Sequence, residues 1–564
     1  MKFSAYPYTR PDFAHYQVTF DAAVKKLTAA TSVQSASLAI EQLNQLRQTL
    51  FTQAKLAYIR HSLDTNDPFY EQEDDYWNQQ QPRFDELHNR FYRALVTSPF
   101  KTELEKIFPP TLFLFSEDQL KLVQPETIPL KQQENEWISR YTRLIASAQI
   151  DFRGQTYTLA EVAAFFTDPD RSVRKAAQAA YEHFFTSHET ELDEIYDQLV
   201  KLRTAIARQA GFKDYVAYAD VAMNRWSYTR QQIQAFRKFI VTEVVPVTQK
   251  LYQQQAKRLT LEELEYYDLP LQFKTGNPKP VADQTELIQL AQSMYQELSP
   301  ETGSFFQQLV QAELLDLTSH PGKQSGGYCE YLDSFKAPFI FANFNGTADD
   351  IDVLTHEAGH AFQTSQSTWI TEPELVFPTS EAAEIHSMSM EFLTYPYLDR
   401  FFAEPDKYRF AHLSSALTFL PYGALVDHFQ EAVYQHPDWS ASQRKKCWRE
   451  LEQRYCPEKN YRTSPALMRG TFWYRQGHIF EVPFYYIDYT LAQVCAFQFL
   501  LRHVIEQDPS AWSDYLTLCQ LGGSQPFLTL LAKSQLASPF DFTKMSPLIK
   551  KISAQLEQWE KAVQ

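Results

Sequence analysis

The sequence predicts a mostly α-helical protein with one small β-sheet. Three observations carry that reading. Apolar residues recur at helical spacing over most of the chain. Glycine is scarce, at 14 of 564 residues against an average of about 7%, which disfavours Gly-rich all-β folds, dinucleotide folds and flexible linkers. Strand character is confined to the stretch between Gly326 and Phe344.

In chain order, Leu43, Leu46, Leu50, Ala54 and Ala57 mark one helix face. Val173, Ala177, Ala180 and Phe184 mark a second. Leu192, Ile195, Leu199, Leu202 and Ile206 mark a third, which Gly211 is placed to stop. KTGNPKPVA, Lys274–Ala282, reads as an irregular loop. GGYCEYL (Gly326–Leu332) and APFIFANF (Ala337–Phe344) are short, aromatic and bounded by Gly, Pro and Asn, as strands are. A last helix is expected to start at Ser546-Pro547, a cap followed by a first-position proline, and to carry Leu548, Ile552, Leu556 and Trp559. All these stripes read as core.

Composition narrows the function. With 44% apolar and 22% charged residues the chain can bury an ordinary core. Its net charge is −16, which disfavours nucleic acid or an anionic membrane as partner, since both require basic footprints. The longest basic run, Arg444-Lys445-Lys446, reads as a solvated helix face. The five cysteines form no C-x-x-C and fit the reduced thiols of a cytoplasmic protein. The first twenty residues hold no apolar signal region, and no apolar run is long enough for a membrane span. No obligate protein partner is evident.

The decisive segment is TADDIDVLTHEAGHAFQTSQ. Thr347 and Asp349 are candidate helix caps, and Asp349 and Asp350 suit the positive end of the helix dipole. His356 and His360, four apart, project from one helix face and can share an ion. Glu357, beside the first of them, can reach the open coordination position without being a ligand. This is the H-E-x-x-H arrangement of zinc hydrolases. PTSEAAEIHSMSMEFL, capped by Thr379 or Ser380, offers Glu381, Glu384, His386 and Glu391 as a third ligand from a second helix. Asp352 or Glu391 is placed to accept the remaining N–H of a ligand histidine. A metal held this way lowers the pKa of a water from about 15.7 to about 7. Glu357 is then the general base, and the oxyanion needs further donors. His478, Tyr485, Tyr486 and Tyr489 supply candidates, with Tyr486 and Tyr489 on one helix face.

Together, H-E-A-G-H at His356–His360, A-E-I-H-S-M at Ala383–Met388 and H-I-F-E-V-P-F-Y-Y-I-D-Y at His478–Tyr489 resemble oligoendopeptidase F, a relative of thimet oligopeptidase and neurolysin. P-G-K-Q-S-G-G-Y at Pro321–Tyr328 resembles the glycine-containing stretch that precedes the zinc helix in these enzymes. The likeness runs from about Lys201 to the C-terminus. It is weaker before that, where FRGQTYTLAEVAAFF and the following helices resemble the family's N-terminal helical part. The resemblance implies one zinc ion held by His356, His360 and Glu384, with Glu357 as general base and Glu391 in a supporting place. It implies His478, Tyr486 and Tyr489 around the substrate carbonyl, although Val482 or Phe484 stands where the thimet branch has a further tyrosine. It also implies two helical lobes, residues 1–200 and 201–564, around a deep channel that admits short unstructured peptides. Gly326, Gly327 and Tyr328 then belong to a strand edge to which an extended peptide can add.

The expected function is a zinc endopeptidase acting on oligopeptides. A zinc carboxypeptidase of similar channel fold is the nearest rival. A non-catalytic peptide-binding protein is a rival of another class, and the intact Glu357 argues against it. The donor set also accepts cobalt or manganese.

Overall fold

A computed structural model of the chain describes residues 1–563. Among them are 24 α-helices and five short strands, so helix dominates as the periodicity predicts. The stripe from Leu43 lies in the helix Val33–Leu63, and Val173 to Phe184 in Arg171–Ser187. Leu192 to Ile206 lie in Glu189–Gln209, which ends two residues before Gly211.

The strands differ in detail from expectation. A hairpin, β1 (Ile150–Phe152) and β2 (Gln155–Tyr157), occupies part of the segment read as helical. β3 (Leu315–Thr318), β4 (Tyr328–Leu332) and β5 (Ala337–Phe344) form one sheet in the order β3-β5-β4. β3 runs parallel to β5, and β4 antiparallel with Tyr328 opposite Phe341. The final helix starts at Phe542, earlier than Ser546-Pro547, and encloses Pro547. Asp541 accepts the Thr543 N–H at 3.1 Å and so opens the helix one turn sooner.

β5 is the strand that positions the chemistry. It is buried over Ala337–Ala342 and leads within a few residues into the H-E-A-G-H helix, Asp349–Gln366. Neither Thr347 nor Asp349 caps that helix. The Asp350 carboxylate instead turns back to the loop and accepts the N–H groups of Asn345 (2.9 Å) and Gly346 (2.8 Å). The glutamate helix, Ser380–Leu393, likewise has no side-chain cap from Thr379 or Ser380. Both helices are held by packing, not by caps.

One large apolar core runs from Phe3 to Leu556 and includes Phe341, Leu354, Phe362, Ile385, Leu420 and Leu491. The first helices build a smaller core around Phe20, Leu43, Phe91 and Leu112, which takes in Tyr331 of β4 and Leu375. Polar contacts tie the same parts together. Arg47 reaches Glu374 at 2.6 Å, and Lys55 donates to the Tyr331 carbonyl at 2.8 Å. The first helices are thereby fastened to the small sheet and to the segment around Leu375.

Candidate metal centre and active site

The H-E-A-G-H helix and the glutamate helix cross at a point of backbone contact. A Cβ on Gly359 would lie 2.6 Å from Ser387 Cα and 2.7 Å from the His386 carbonyl oxygen. Only glycine allows this approach. It brings Glu384 under the two histidines that flank Gly359.

At the crossing, one donor atom from each of His356, His360 and Glu384 lies within 4.8 Å of the others. Glu384 Oε2 is 3.1 Å from His356 Nε2 and 3.4 Å from His360 Nε2. A tetrahedral ion with ligands at about 2.0–2.1 Å separates its donors by about 3.3 Å. Spacing and donor chemistry therefore both fit a divalent metal.

The partners of these atoms select which face each ligand presents. His356 Nδ1 is 2.6 Å from Glu391 Oε1, which leaves Nε2 for the ion. Glu391 Oε2 in turn bonds His412 Nε2 at 2.8 Å, and His412 Nδ1 bonds the Tyr395 phenol at 2.6 Å. Tyr485 donates to Glu384 Oε1 at 2.6 Å, so Oε2 is the oxygen turned to the histidines. Ser387 donates to that Oε2 at 3.0 Å. The neighbouring histidines hold the Glu384 carboxyl well below its ordinary range despite burial.

Glu357 points into a cavity of about 350 Å³ lined also by Gly327, His356, His478, Tyr486 and Tyr489. Its Oε2 is buried without a hydrogen-bond partner, and burial raises its pKa. A Cβ on Gly327 would stand 3.3 Å from Glu357 Oε1 and 3.1 Å from Val353 Cγ1, so glycine there keeps the carboxylate clear.

Across the cavity a chain of hydrogen bonds fixes one tautomer. Tyr422 donates to Gln476 Oε1 at 2.9 Å, which turns the Gln476 amide nitrogen to His478 Nδ1, also at 2.9 Å. Nδ1 must then accept, so the ring proton sits on Nε2 and points to the Tyr489 oxygen, 3.2 Å away. Burial lowers His478 to about 4 and keeps it neutral. With its oxygen already accepting, the Tyr489 O–H is free to donate elsewhere. Tyr486 packs edge-on to His478, with ring centroids 5.1 Å apart.

Comparisons with known proteins agree with this geometry. Residues 164–546 match the model of peptidase family M3, and residues 3–123 match that of the peptidase M3 N-terminal domain. This chain belongs to peptidase family M3. Its structure is similar to PZ peptidase A solved with an inhibitor, at 46% identity and a TM-score of 0.98 over 99% of both chains. It is similar to a protein assigned as oligoendopeptidase F, at 48% identity and TM-score 0.97 over 99% of both chains. A third structure, assigned as oligoendopeptidase F from Bacillus anthracis strain Ames, has 43% identity and TM-score 0.92, covering 99% of this chain and 98% of its own. Among curated proteins no match is found. The resemblance to oligoendopeptidase F read from the motifs is thus a family relationship, and the protein is a metalloendopeptidase.

In this M3 peptidase the expected site residues divide into those the fold gathers and those it does not. His356, Glu357, His360, Glu384, Glu391, His478, Tyr486 and Tyr489 stand in or beside the cavity. Of the two carboxylates placed to accept a ligand N–H, Glu391 does so, while Asp352 bonds the Tyr408 phenol. Burial pushes Asp352 up to about 7. Gly327 lines the cavity, but the Tyr328 side chain turns away, stacked on Phe341 with its hydroxyl against Ser62. At the outer edge of β4 the Tyr331 carbonyl is taken by Lys55 at 2.8 Å. His386 is wholly buried and away from the donors, and Glu381 faces Asp488 instead. Val482 is exposed and Phe484 buried, and neither side chain carries a hydrogen-bond donor. Sequence reasoning missed His412 and gave Tyr485 no bond to Glu384. No local motif marks either one. Among the described residues no helix is long and apolar enough to cross a membrane.

Proposed function

We propose that this M3 peptidase is a zinc-dependent oligoendopeptidase that hydrolyses internal bonds of short unstructured peptides. One observation carries the reading: three ligand-type atoms converge beside a carboxylate, Glu357, whose buried oxygen has no protein partner and faces a peptide-sized cleft. His356, His360 and Glu384 would hold one zinc ion per chain, and zinc, when bound, acidifies water and polarises a carbonyl.

The remaining chemistry belongs to the chain's own residues. Glu357 takes a proton from the attacking water and returns it to the leaving amine. Burial raises its proton affinity, which suits a group that must both take and give. The free Tyr489 O–H donates to the substrate oxygen as charge builds on it, and His478 holds that phenol in place. Tyr486 closes the same wall. The Gly326–Gly327 end of β4 takes the peptide backbone. We further place the division into lobes near residue 200 and the enzyme in the cytoplasm, where its five free cysteines would stay reduced.

The test is mass spectrometry of short peptides blocked at both ends, with wild type and Glu357→Gln, each with and without a chelator. Internal cuts by zinc-loaded wild type alone are expected. Removal of single C-terminal residues from unblocked peptides only would replace this reading by a carboxypeptidase. Retention of peptides without any cut would replace it by a binding protein.

A further inference from the structure

The catalytic cavity adjoins a second one. Asp352, His412 and Ser415 line both, and the second holds about 440 Å³. Its walls carry aromatic rings, Tyr252, Tyr266 and Phe472 among them, and two cations, Lys459 and Arg475. Among the described residues, no lysine or arginine lines the first cavity. The two carboxylates of the second, Asp349 and Asp352, belong to the H-E-A-G-H helix, where burial raises both.

Cations removed from water are ordinarily matched by carboxylates. Arg475 is matched by Glu182. Lys459 is not fully matched. Its Nζ is 3.6 Å from Glu452 Oε1, but Glu452 also takes Arg449 at 3.0 Å and the Tyr461 phenol at 2.7 Å. The neighbouring carboxylate, Glu458, is half-buried, has a buried oxygen without a partner, and makes no ion pair with Lys459. Lys459 and Arg449 therefore share Glu452, and no carboxylate oxygen stands within hydrogen-bond distance of Lys459 Nζ at the cavity wall. Lys459 Nζ and Arg475 Cζ lie 3.5 and 4.1 Å from the Phe472 ring centre, and the Arg475 Nε–H is buried without a partner. In a chain of net charge −16, two cations stacked on one ring beside the catalytic cavity are an unusual feature.

We propose that Lys459, with Arg475 across Phe472, binds a carboxylate of the peptide substrate in this arm of the cleft. The inference rests on the peptidase reading above and adds a specificity determinant to it. The carboxylate has two sources, the peptide C-terminus or an Asp or Glu side chain. Either one, reaching the arm from a scissile bond over Glu357, would favour peptides of matching length or sequence.

The experiment compares kcat and KM for a ladder of internally quenched peptides. Each length is made with a free C-terminus, with a C-terminal amide, and as an amide with Glu as last residue. Wild type, Lys459→Met and Lys459→Arg are used. A charge-assisted contact predicts a KM about tenfold lower for the free acid than for the amide at one or two lengths. Lys459→Met abolishes that difference by raising KM for the acid, with kcat and the amide peptide unchanged, and Lys459→Arg retains it. Equal behaviour of the Glu-ended amide and the free acid assigns the subsite to either carboxylate source; preference for the free acid alone assigns it to the C-terminus. Equal KM values for acid, amide and Glu-ended amide at every length overturn the subsite and leave the peptidase intact, as does equal damage by Lys459→Met to every peptide. Absence of any cutting by metal-loaded wild type overturns the peptidase reading itself.

Discussion

His356 Nδ1 and Glu391 Oε1 stand 2.6 Å apart, and through that bond a residue that does not touch the metal site decides how a ligand presents itself. Glu391 fixes the His356 tautomer and ring angle and is itself held by His412. Partners of this kind are worth about 10–100-fold in metal affinity. Glu391→Gln is expected to lose that much, measured by chelator competition, with activity recovering as zinc is raised. Undiminished affinity would show that His356 needs no such support.

Gly359→Ala adds one methyl group where two backbones meet. The new Cβ would overlap Ser387 Cα and the His386 carbonyl. Overpacking of this sort costs about 1–3 kcal/mol or more, and relief requires the two helices to separate. The variant should have a lowered melting temperature and bind zinc poorly, read by metal analysis after gel filtration. A variant with full zinc content would mean that the crossing has more room than its contacts imply.

Tyr485 and Tyr489, four apart on one segment, should fail differently. Tyr485→Phe strips a donor from Glu384 and should weaken metal binding. Tyr489→Phe should leave metal content unchanged and lower kcat by about 10²–10³, the usual cost of an oxyanion donor. Measuring metal affinity and kcat for both variants separates the roles, and identical profiles would refute the division.

A buried charge cluster predicts the pH dependence of stability. Arg225, Arg230 and Arg237 pair among them with Asp220, Asp427, Glu431 and Asp488. Glu381 is 1% exposed, and neither of its oxygens has a partner. Burial, with Asp488 close by, raises it from 4.5 to about 8. The unfolded chain ionises this group near 4.5, whereas the folded chain keeps the proton to about 8. Its stabilising contribution is therefore full below about 4.5 and is lost as pH rises to about 8, by up to about 1.4 kcal/mol per pH unit. Glu381→Gln, permanently neutral, should gain on wild type in melting temperature from pH 5 to 8 and gain no more above. A constant difference between the two would show that Glu381 is ionised in the fold.

What the sequence makes legible is chemistry packed into short intervals. His356, Glu357 and His360 share one turn of helix and are legible in the residues alone, whereas Glu384 is one of four candidates there and is singled out only by the family resemblance. β5 is legible because its aromatic run is bounded by proline and asparagine. The β1–β2 hairpin is not, because its signal is a single turn, Arg153-Gly154, with both residues at positive φ inside an otherwise helical pattern. His412 and Tyr485 are illegible for another reason. Their roles arise only when the long helix Pro405–Gln435 and the segment before Tyr486 pack against the ligand-bearing pair. The helix starts at Asp349 and Ser380 differ in mechanism from expectation, since tertiary contact does what caps were expected to do.

The contact at Gly359 has a consequence for how such an enzyme can diverge. Donor spacing is dictated by where two main chains touch, whereas the outer arm of the cleft is walled by remote segments that carry Tyr252, Lys459 and Phe472. The reaction and the choice of peptide are thereby stored in separate layers of the molecule. Substitution in that outer arm can redirect the enzyme to new peptides while the bond-breaking apparatus stays untouched, held at the one position where a single missing methyl keeps it in register.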